Sequence, residues 1–354
     1  MDADRRHEGR TRTAVRSLHG PDGRWEVAFA RPDPRLRPGV ISYRGFRLDL
    51  GAPRRRLEVP IGAVTLMLGF GHELRIRGLA DSGRPPVSLV SVVSGLTTRP
   101  VLGEHDGRLA GIEVLLTPWA SFTLLGTEQH ELAGRALDPD ALGNRRCHGS
   151  WDRVGDLAAA LGALPRWSDR FGLLDDVLIR WAGSGPPSSR RTVRAWDELV
   201  RTRGSAPVTR IADEVGWSVR QLENRFREQI GIGPKAAGRV LRLQHARRLL
   251  AAGRGQAETA ALCGFYDQAH LSGEFKAMTG CTPRQFARAS GAVLPAHSGP
   301  PSAARLAGEQ TSLVLASPGT PGTTGTPGTP GTPERSAPGA TGRSAGFSKT
   351  APEH

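Results

Sequence analysis

The sequence predicts an α+β protein with a β-rich N-terminal domain and trailing helices, an all-helical C-terminal domain, and a disordered tail. Short apolar runs separated by Gly or Pro fill the N-terminal half, apolar residues then recur at helical spacing, and a Pro/Gly/Thr repeat lies near the end. The chain's 354 residues suffice for two compact domains plus tails. The predicted parts are a disordered basic N-terminus at 1–24, a β-rich domain with helices at 25–182, a linker at 183–189, the helical domain at 190–290, and the tail at 291–354.

Strands are predicted between residues 25 and 130. Phe46–Leu50 and Leu74–Arg77 alternate apolar and polar residues, which is typical of a strand with one buried face. Short apolar runs bounded by Gly or Pro predict further strands at 63–70, 87–93, 112–116 and 122–125. Many short strands with turn residues between them indicate a sandwich or a barrel.

Helices are predicted after the strands. Apolar residues recur every three or four positions at Leu157, Leu161 and Leu164, and again from Leu173 to Trp181, which predicts helices with one buried face. The segment 183–189 is rich in Gly, Pro and Ser and is typical of a linker. Within the tail, glycine falls at every third position of 317–333, but so few triplets cannot hold a collagen helix and indicate a flexible tail.

The helical segment contains an internal repeat. Its two copies, 211–234 and 259–283, match at seven positions when the second is shifted by 48 residues, and by 49 after one extra turn residue. The matched pairs are Ala212 with Ala260, Gly216 with Gly264, Trp217 with Phe265, Leu222 with Leu271, Phe226 with Phe275, Gly231 with Gly280, and Pro234 with Pro283.

Each copy is predicted to be a helix-turn-helix. In the first, Gly216 sits where a helix end favours positive φ, and Ser218 is a good N-cap for the next helix. Val219, Leu222, Phe226 and Ile230 form an inward stripe, which turns outward the polar residues Arg220, Glu223, Asn224 and Arg227. Such a second helix fits the DNA major groove, where Arg220 would hold guanine. The competing interpretation pairs Arg220 with Glu223 or Asn224 on a solvated face.

A long helix is predicted between the copies, from Lys235 to Ala252, with arginines interleaved among its apolar positions. We expect Arg239, Arg242 and Arg248 to contact DNA phosphates, because they would flank the grooves. Residues 190–290 carry 18 basic and 9 acidic residues, so they hold +9 of the chain's +14. A compact domain with this excess suits a polyanion.

These residues resemble the DNA-binding domain of the AraC/XylS family of bacterial transcriptional regulators. The resemblance rests on both repeat copies, on Arg242-Leu243 with Ala246 and Leu249-Leu250 in the connecting helix, and on the closing segment 264–286. It implies two recognition helices in successive major grooves of double-stranded operator DNA. By position, the base-facing residues would be Arg220, Glu223 and Asn224 in the first helix, and Gln268, Ala269, His270 and Ser272 in the second. The family often has Arg where this chain has Asn224 and Gly273, so the second unit is expected to dock mainly through backbone and shape.

The first 180 residues more weakly resemble the N-terminal domains of some of these regulators, through 60–70, 112–119 and 124–126. In the family such a domain is a cupin-like barrel with trailing helices that senses a small molecule or dimerises. The resemblance leaves a small-molecule effector, RNA polymerase and a second copy of the chain open as partners, and it identifies no ligand.

Enzymatic activity and a cofactor are not expected. The sequence lacks a Gly-x-Ser-x-Gly elbow, a phosphate-binding loop and a complete dinucleotide fingerprint. His72, His105, His130 and His148 are scattered and predict no metal site, and Cys147 stands without a metal-ligand cluster. The chain has no apolar stretch for an export signal or a membrane span, which predicts a cytoplasmic protein.

Two alternatives to a sequence-specific regulator stay open at this stage. One is an architectural protein that binds nucleic acid through its arginines without reading sequence. The other is a metal-dependent enzyme whose barrel performs chemistry.

Overall fold

The structure, a computed structural model, describes residues 13–20, 23–78, 85–142, 153–292 and 312–315. All of them lie within one compact unit. Cys147 and His148 fall outside the described residues, as does most of the predicted tail.

Two antiparallel sheets form the N-terminal domain. The larger has the order β1-β2-β3-β10-β5-β8-β11 and the smaller has the order β12-β4-β9-β6-β7. The strands are β1 Ala14–Gly20, β2 Gly23–Ala30, β3 Val40–Asp49, β4 Arg54–Glu58, β5 Val64–Gly69, β6 Leu74–Gly78, β7 Val87–Leu89, β8 Val92–Ser94, β9 Val101–His105, β10 Arg108–Leu116, β11 Ala136–Leu137 and β12 Ser312–Leu315. The β-rich prediction is therefore confirmed, while closure into a cupin-like barrel stays a prediction.

The larger sheet is covered on both faces, which explains the nearly continuous apolar sequence of its central strands. In β5, Leu66 and Leu68 face one side and belong to the cluster that includes Leu157 and Phe171 of the trailing helices. Met67 faces the other side and packs with apolar residues of the smaller sheet. This layering leaves no space for a side chain at Gly45 of β3, which faces Trp167 at the start of the helix Trp167–Ser184. A Cβ atom at Gly45 would lie 2.3 Å from the Trp167 ring.

Eleven α-helices are present among the described residues. The first four belong to the N-terminal domain and the remaining seven to the C-terminal domain: α1 Pro118–Leu125, α2 Gln129–Leu132, α3 Val154–Ala163, α4 Trp167–Ser184, α5 Arg190–Arg201, α6 Val208–Val215, α7 Val219–Gln229, α8 Pro234–Ala251, α9 Gln256–Leu262, α10 Gln268–Thr279 and α11 Pro283–Ala292. The predicted all-helical segment from 190 to about 290 is confirmed.

The predicted strand at 122–125 is wrong, because Phe122 and Leu125 lie in helix α1. The Thr117 side chain accepts a hydrogen bond from the Ala120 N–H, Pro118 occupies the first helical position, and Gly126 ends the helix at φ 62°. These cap signals decide the structure, since a short run that is buried on every side has no visible period.

Three predicted boundaries also change. Strand β1 lies inside the segment 1–24 that was predicted to be disordered, and it pairs with β2 from Ala14 to Gly20. Helix α4 continues through Gly183 to Ser184, so the linker comprises 185–189. Within the predicted tail, β12 pairs with β4 at the edge of the smaller sheet. No helix in the described ranges is long and apolar enough to cross a membrane.

Candidate nucleic-acid interface

The internal repeat has the same geometry in both copies. Gly216 and Gly264 adopt φ of +67° and +69° at the two turns, and Gly231 and Gly280 adopt +100° and +75° after the second helices. The paired core residues are buried in both units, namely Ala212 and Ala260, Leu222 and Leu271, and Phe226 and Phe275. Pro234 and Pro283 each open the following helix. The predicted pair of helix-turn-helix units is therefore confirmed.

In the first unit, the turn is held by local hydrogen bonds. The Trp217 N–H donates to the Ala212 carbonyl over 2.9 Å, which closes helix α6. Ser218 begins α7 with a reciprocal capping box, in which the Gln221 N–H donates to Ser218 Oγ and the Ser218 N–H donates to Gln221 Oε1. Two backbone donors at the start of α7 are thus satisfied, and its first turn is held in place.

Helix α7 divides largely as predicted. Leu222, Phe226 and Ile230 are buried. The predicted polar face is exposed, at Arg220, Glu223, Asn224 and Arg227. Val219 departs from the predicted inward stripe, because this residue is 37% exposed. As the first residue of the helix, Val219 lies beyond the reach of the core that the later turns bury.

Arg220 makes no intramolecular ion pair with any described residue, and neither Glu223 nor Asn224 bonds to it. By contrast, Arg225 on the same helix forms an ion pair with Glu228, with an N–O distance of 2.7 Å. The competing interpretation of Arg220 as one half of a surface pair therefore has no contact behind it.

In the second unit, Asp267 caps helix α10 by accepting a hydrogen bond from the His270 N–H over 2.7 Å. Gln268, Ala269 and His270 are exposed on its first turn, and Ser272 is half-buried. Gly273 faces open space, with no heavy atom within 4 Å of a Cβ placed there. The predicted residues thus lie on the first two turns of α10, where Ala269, Ser272 and Gly273 contribute little side-chain volume.

The His270 ring is held in one orientation. Its Nδ1 accepts a hydrogen bond from the Tyr266 N–H over 3.2 Å, and its ring meets Phe265 edge-on at 5.5 Å. When Nδ1 accepts, neutral histidine carries its proton on Nε2. The exposed side of His270 therefore offers a hydrogen-bond donor.

Two of the predicted phosphate-contacting arginines of helix α8 contact side chains of the second unit. Arg239 makes a two-pronged ion pair with Glu274 of α10, with both N–O distances at 2.9 Å. The guanidinium of Arg242 lies over the Phe265 ring at 5.6 Å. Arg248 is exposed. Arg239 and Arg242 thus tie the second unit to α8, and phosphate contact by all three arginines stays a prediction.

Helix α8 also contacts the N-terminal domain, which explains why it is buried nearly all round. The Gly62 N–H donates to Gln244 Oε1 over 3.0 Å. On the next turn, Arg247 Nη1 donates to the Pro60 carbonyl over 3.2 Å. Leu57 and Val59 join the apolar cluster of the second unit.

Helix α7 has a neighbouring groove. Phe122, Pro186 and Pro187 line it on one side, and Trp217 and Asn224 line it on the other. Asn224 therefore faces both solvent and a surface formed by the N-terminal domain and the linker. The C-terminal end of α7 is fixed by Gln229, whose Oε1 accepts a hydrogen bond from the Ser189 N–H.

A cavity of about 160 Å³ lies between the two sheets. Its wall is mostly apolar and includes His105, which is 6% exposed. The Gly107 N–H donates to His105 Nδ1, whereas Nε2 has no hydrogen-bond partner. Burial lowers the pKa of His105, which favours the neutral ring with its proton on Nε2.

No group of three or more His, Cys, Asp or Glu residues suited to a metal ion occurs in the described part of the chain. His130 contacts Glu128 on the surface instead. Cys263 and Cys281 are unpaired thiols. Burial raises the pKa of Cys263 to about 11, which keeps this thiol protonated and unreactive at neutral pH.

Three exposed residues escaped the prediction. The sequence pattern assigns Val219 to the core and gives no role to the extra turn residue, Tyr266. Arg191 of α5 donates to the Gly216 carbonyl over 3.4 Å and lies over the Trp217 ring at 5.9 Å. The one-residue shift in the repeat was the signal that could have identified Tyr266.

Comparison with known proteins finds a family match for the segment that holds the two units. A family described as "Helix-turn-helix domain" matches residues 211–289, and the AraC/XylS resemblance of this segment is thereby confirmed. The search of curated proteins found no match.

Solved structures also show similarity. An AraC-type DNA-binding transcriptional regulator from Chromobacterium violaceum is 27% identical, covering 31% of this chain and 95% of its own, at a TM-score of 0.28. A probable AraC family transcriptional regulator from Rhodopseudomonas palustris is 23% identical. The match covers 29% of this chain and 98% of that protein, at a TM-score of 0.27. ToxT from Vibrio cholerae is 10% identical. The match covers 67% of this chain and 96% of ToxT, at a TM-score of 0.41.

Proposed function

On the premise that residues 211–289 are a helix-turn-helix domain of the AraC type, we propose that the chain is a sequence-specific transcriptional regulator. The observation that carries the proposal is the pair of matched units joined by α8, each with an exposed second helix. Two such helices suit successive major grooves, about 10 base pairs apart. The proposal includes neither catalysis nor a cofactor.

The first unit supplies most of the base reading in this proposal. Arg220 lies on the first turn of a capped helix, exposed and without an intramolecular partner among the described residues. An arginine so placed can donate two hydrogen bonds to guanine O6 and N7. Asn224, one turn further on, has the side chain that reads adenine.

Competition binding tests the proposal against an architectural role. We expect the full chain to prefer its selected operator over random duplex by about 10³-fold or more. A ratio below about 10 would favour an arginine-driven, non-specific binder. Both measurements use the same salt concentration, because phosphate contacts alone make affinity strongly salt-dependent.

Phosphate contacts are assigned to Arg239, Arg242 and Arg248. Replacing one of them by Gln should weaken binding to all DNA sequences equally. It should also reduce the slope of log affinity against log salt concentration by about 1. Arg239→Gln should also loosen α10, since it removes the ion pair with Glu274. Altered base preference at an unchanged slope would count against this assignment.

Effector control through the N-terminal domain is the second part of the proposal. Its support is the His105 Nε2 that lacks a partner in the cavity wall. A cavity of about 150 Å³ is large enough for a benzene-sized molecule, and an acceptor group on such a molecule would satisfy the donor. RNA polymerase contact and self-association stay predictions.

The segment 58–62 is the proposed route from cavity to DNA-binding domain. Glu58, Val59 and Ile61 line the cavity, and Pro60 and Gly62 bond to helix α8. A molecule that displaces this part of the cavity wall would therefore also displace Pro60 and Gly62, which contact helix α8. Helix α8 sets the spacing of the two units.

Gly62→Leu tests this route. A Cβ at Gly62 would already lie 2.7 Å from Leu241 Cδ2 and 3.3 Å from Gln244 Oε1. The rest of a leucine side chain would extend further towards α8, so the substitution should separate the segment from α8 and change operator affinity. Gly51→Leu is the matched control, because a Cβ there has nothing within 4 Å. Hydrogen exchange at 57–62 verifies the separation. Separation with unchanged operator affinity would refute the route.

A further inference from the structure

The two units differ by one inserted residue, and the structure identifies it. Trp217 matches Phe265 at an offset of 48, whereas the N-caps Ser218 and Asp267 match at 49. The insertion is therefore Tyr266, which lies between the buried Phe265 and the cap. It is 93% exposed, the largest exposed fraction among the large apolar residues of the described chain.

The turn that carries Tyr266 is held rigidly at both ends. On one side, the Phe265 N–H donates to the Ala260 carbonyl over 3.0 Å. On the other side, Asp267 caps α10, and the Tyr266 N–H itself donates to His270 Nδ1. The backbone of Tyr266 is therefore fixed while its ring projects into solvent. An exposed aromatic side chain on an ordered turn is suited to contact a partner.

Helix α10, which follows Tyr266, lacks the long polar side chains that α7 of the first unit carries at the matching positions. At the shared offset of 49, Arg220 is replaced by Ala269, Glu223 by Ser272 and Asn224 by Gly273. The second unit thus has no long cationic side chain on the first two turns of its groove face. Tyr266 adds a large side chain with a hydrogen-bonding group immediately before the N-cap of that helix.

We propose that Tyr266 is a DNA-contacting residue of the second unit and that its phenol hydroxyl donates to a phosphate of the second half-site. The inference rests on the proposed function. The phosphate is favoured over a base because Tyr266 precedes the N-cap, and so stands at the rim of the groove while the first helical turn faces the bases. Phosphate contacts fix register without reading sequence, which suits a unit whose helix carries Ala269 and Gly273.

Operator binding by the full chain tests this contact, with Tyr266→Phe as the decisive variant. Loss of one hydrogen bond to a charged phosphate should weaken binding by about 13- to 160-fold. The loss should be equal for all base substitutions in the operator. The salt slope should stay unchanged, because a neutral phenol releases no counterion. Tyr266→Ala should weaken binding at least as much.

Leu262→Ala is the matched control. Leu262 is 56% exposed at the end of α9 in the same unit, and it precedes the turn that carries Tyr266. Its removal should leave operator affinity unchanged. Thermal unfolding of all three variants should match wild type, since neither side chain is buried.

The outcomes separate the two levels of the argument. Absence of any preferred operator for the wild-type chain would defeat the proposed function itself. A wild-type preference with unchanged affinity in Tyr266→Ala would overturn only the role of Tyr266. Weakening in Tyr266→Ala without weakening in Tyr266→Phe would overturn the hydroxyl contact, as would a changed base preference in Tyr266→Phe.

Discussion

The two helix-turn-helix units share one internal frame and present different surfaces. Their turns have nearly identical glycine geometry, and their paired core residues are buried alike. On the exposed helix faces, the first unit has Arg220 and Asn224 where the second has Ala269 and Gly273. Packing therefore sets the positions that the copies share, whereas the positions that differ are those left to contact a partner.

The shared frame predicts the largest effects, and they should be similar in both units. Leu222→Ala and Leu271→Ala each empty a fully buried site, which should cost about 2–5 kcal/mol of unfolding free energy. Denaturant unfolding of the full chain measures the loss. A loss below about 1 kcal/mol in one unit alone would show that the two frames are not equivalent.

The differing surfaces predict unequal effects on DNA. Arg220→Ala should lower operator affinity by about 5- to 150-fold, because one bidentate arginine–guanine contact is lost. Ala269→Gly, at the matching position of α10, removes only a methyl group from the groove face. Glycine also lowers helix propensity, so thermal unfolding of Ala269→Gly measures how much of any affinity loss comes from a less stable helix. After this correction, the loss of operator affinity should be much smaller than that of Arg220→Ala. Equal losses of affinity at both positions would contradict the unequal division of base reading.

Gly273, at the position where the first unit has Asn224, offers a gain in stability. It lies inside α10 in open space, so Gly273→Ala should stabilise the protein by about 0.5–1 kcal/mol. Thermal unfolding measures this gain. A destabilised variant would mean that the helix approaches another surface at this point.

The smallest expected effect concerns His245, in the helix between the units. Burial, followed by the charges of Arg203 and Arg248, lowers its pKa. The unfolded chain, with an ordinary histidine pKa of about 6.5, therefore takes up the proton first as pH falls. Stability should be complete above that pH and should decrease as pH falls towards the folded pKa.

His245→Gln should make the unfolding free energy less dependent on pH in this window. His105 has a lowered pKa for the same main reason, so His105→Gln serves as the comparison and should remove its own share. An unchanged pH dependence in His245→Gln would refute the linkage.

The sequence predicted the helical frame well because its signals are local. Gly216 and Ser218 mark a turn by backbone conformation and capping, and Leu222 and Phe226 mark a face by spacing. Prediction failed where burial came from distant parts of the chain. Phe122 is surrounded on all sides in a helix that was predicted to be a strand.

The candidate site was only partly predictable for a related reason. Periodicity assigned the outward residues of α7 correctly, but it could not reveal that Arg239 would pair with Glu274. The attachment of Gln244 to Gly62 joins residues 182 positions apart, and no pattern in either segment indicates it. Exposure at the helix start, as in Val219, depends on where the core ends.

Selection of bound duplexes from a random library tests the central claim most directly, with wild type and Arg220→Ala compared in parallel. The account predicts a wild-type motif with two elements about 10 base pairs apart. In Arg220→Ala, a guanine preference in the element bound by the first unit should disappear, while the other element persists. A wild-type library without an enriched motif, or an Arg220→Ala motif identical to that of wild type, would contradict the claim that α7 reads the operator.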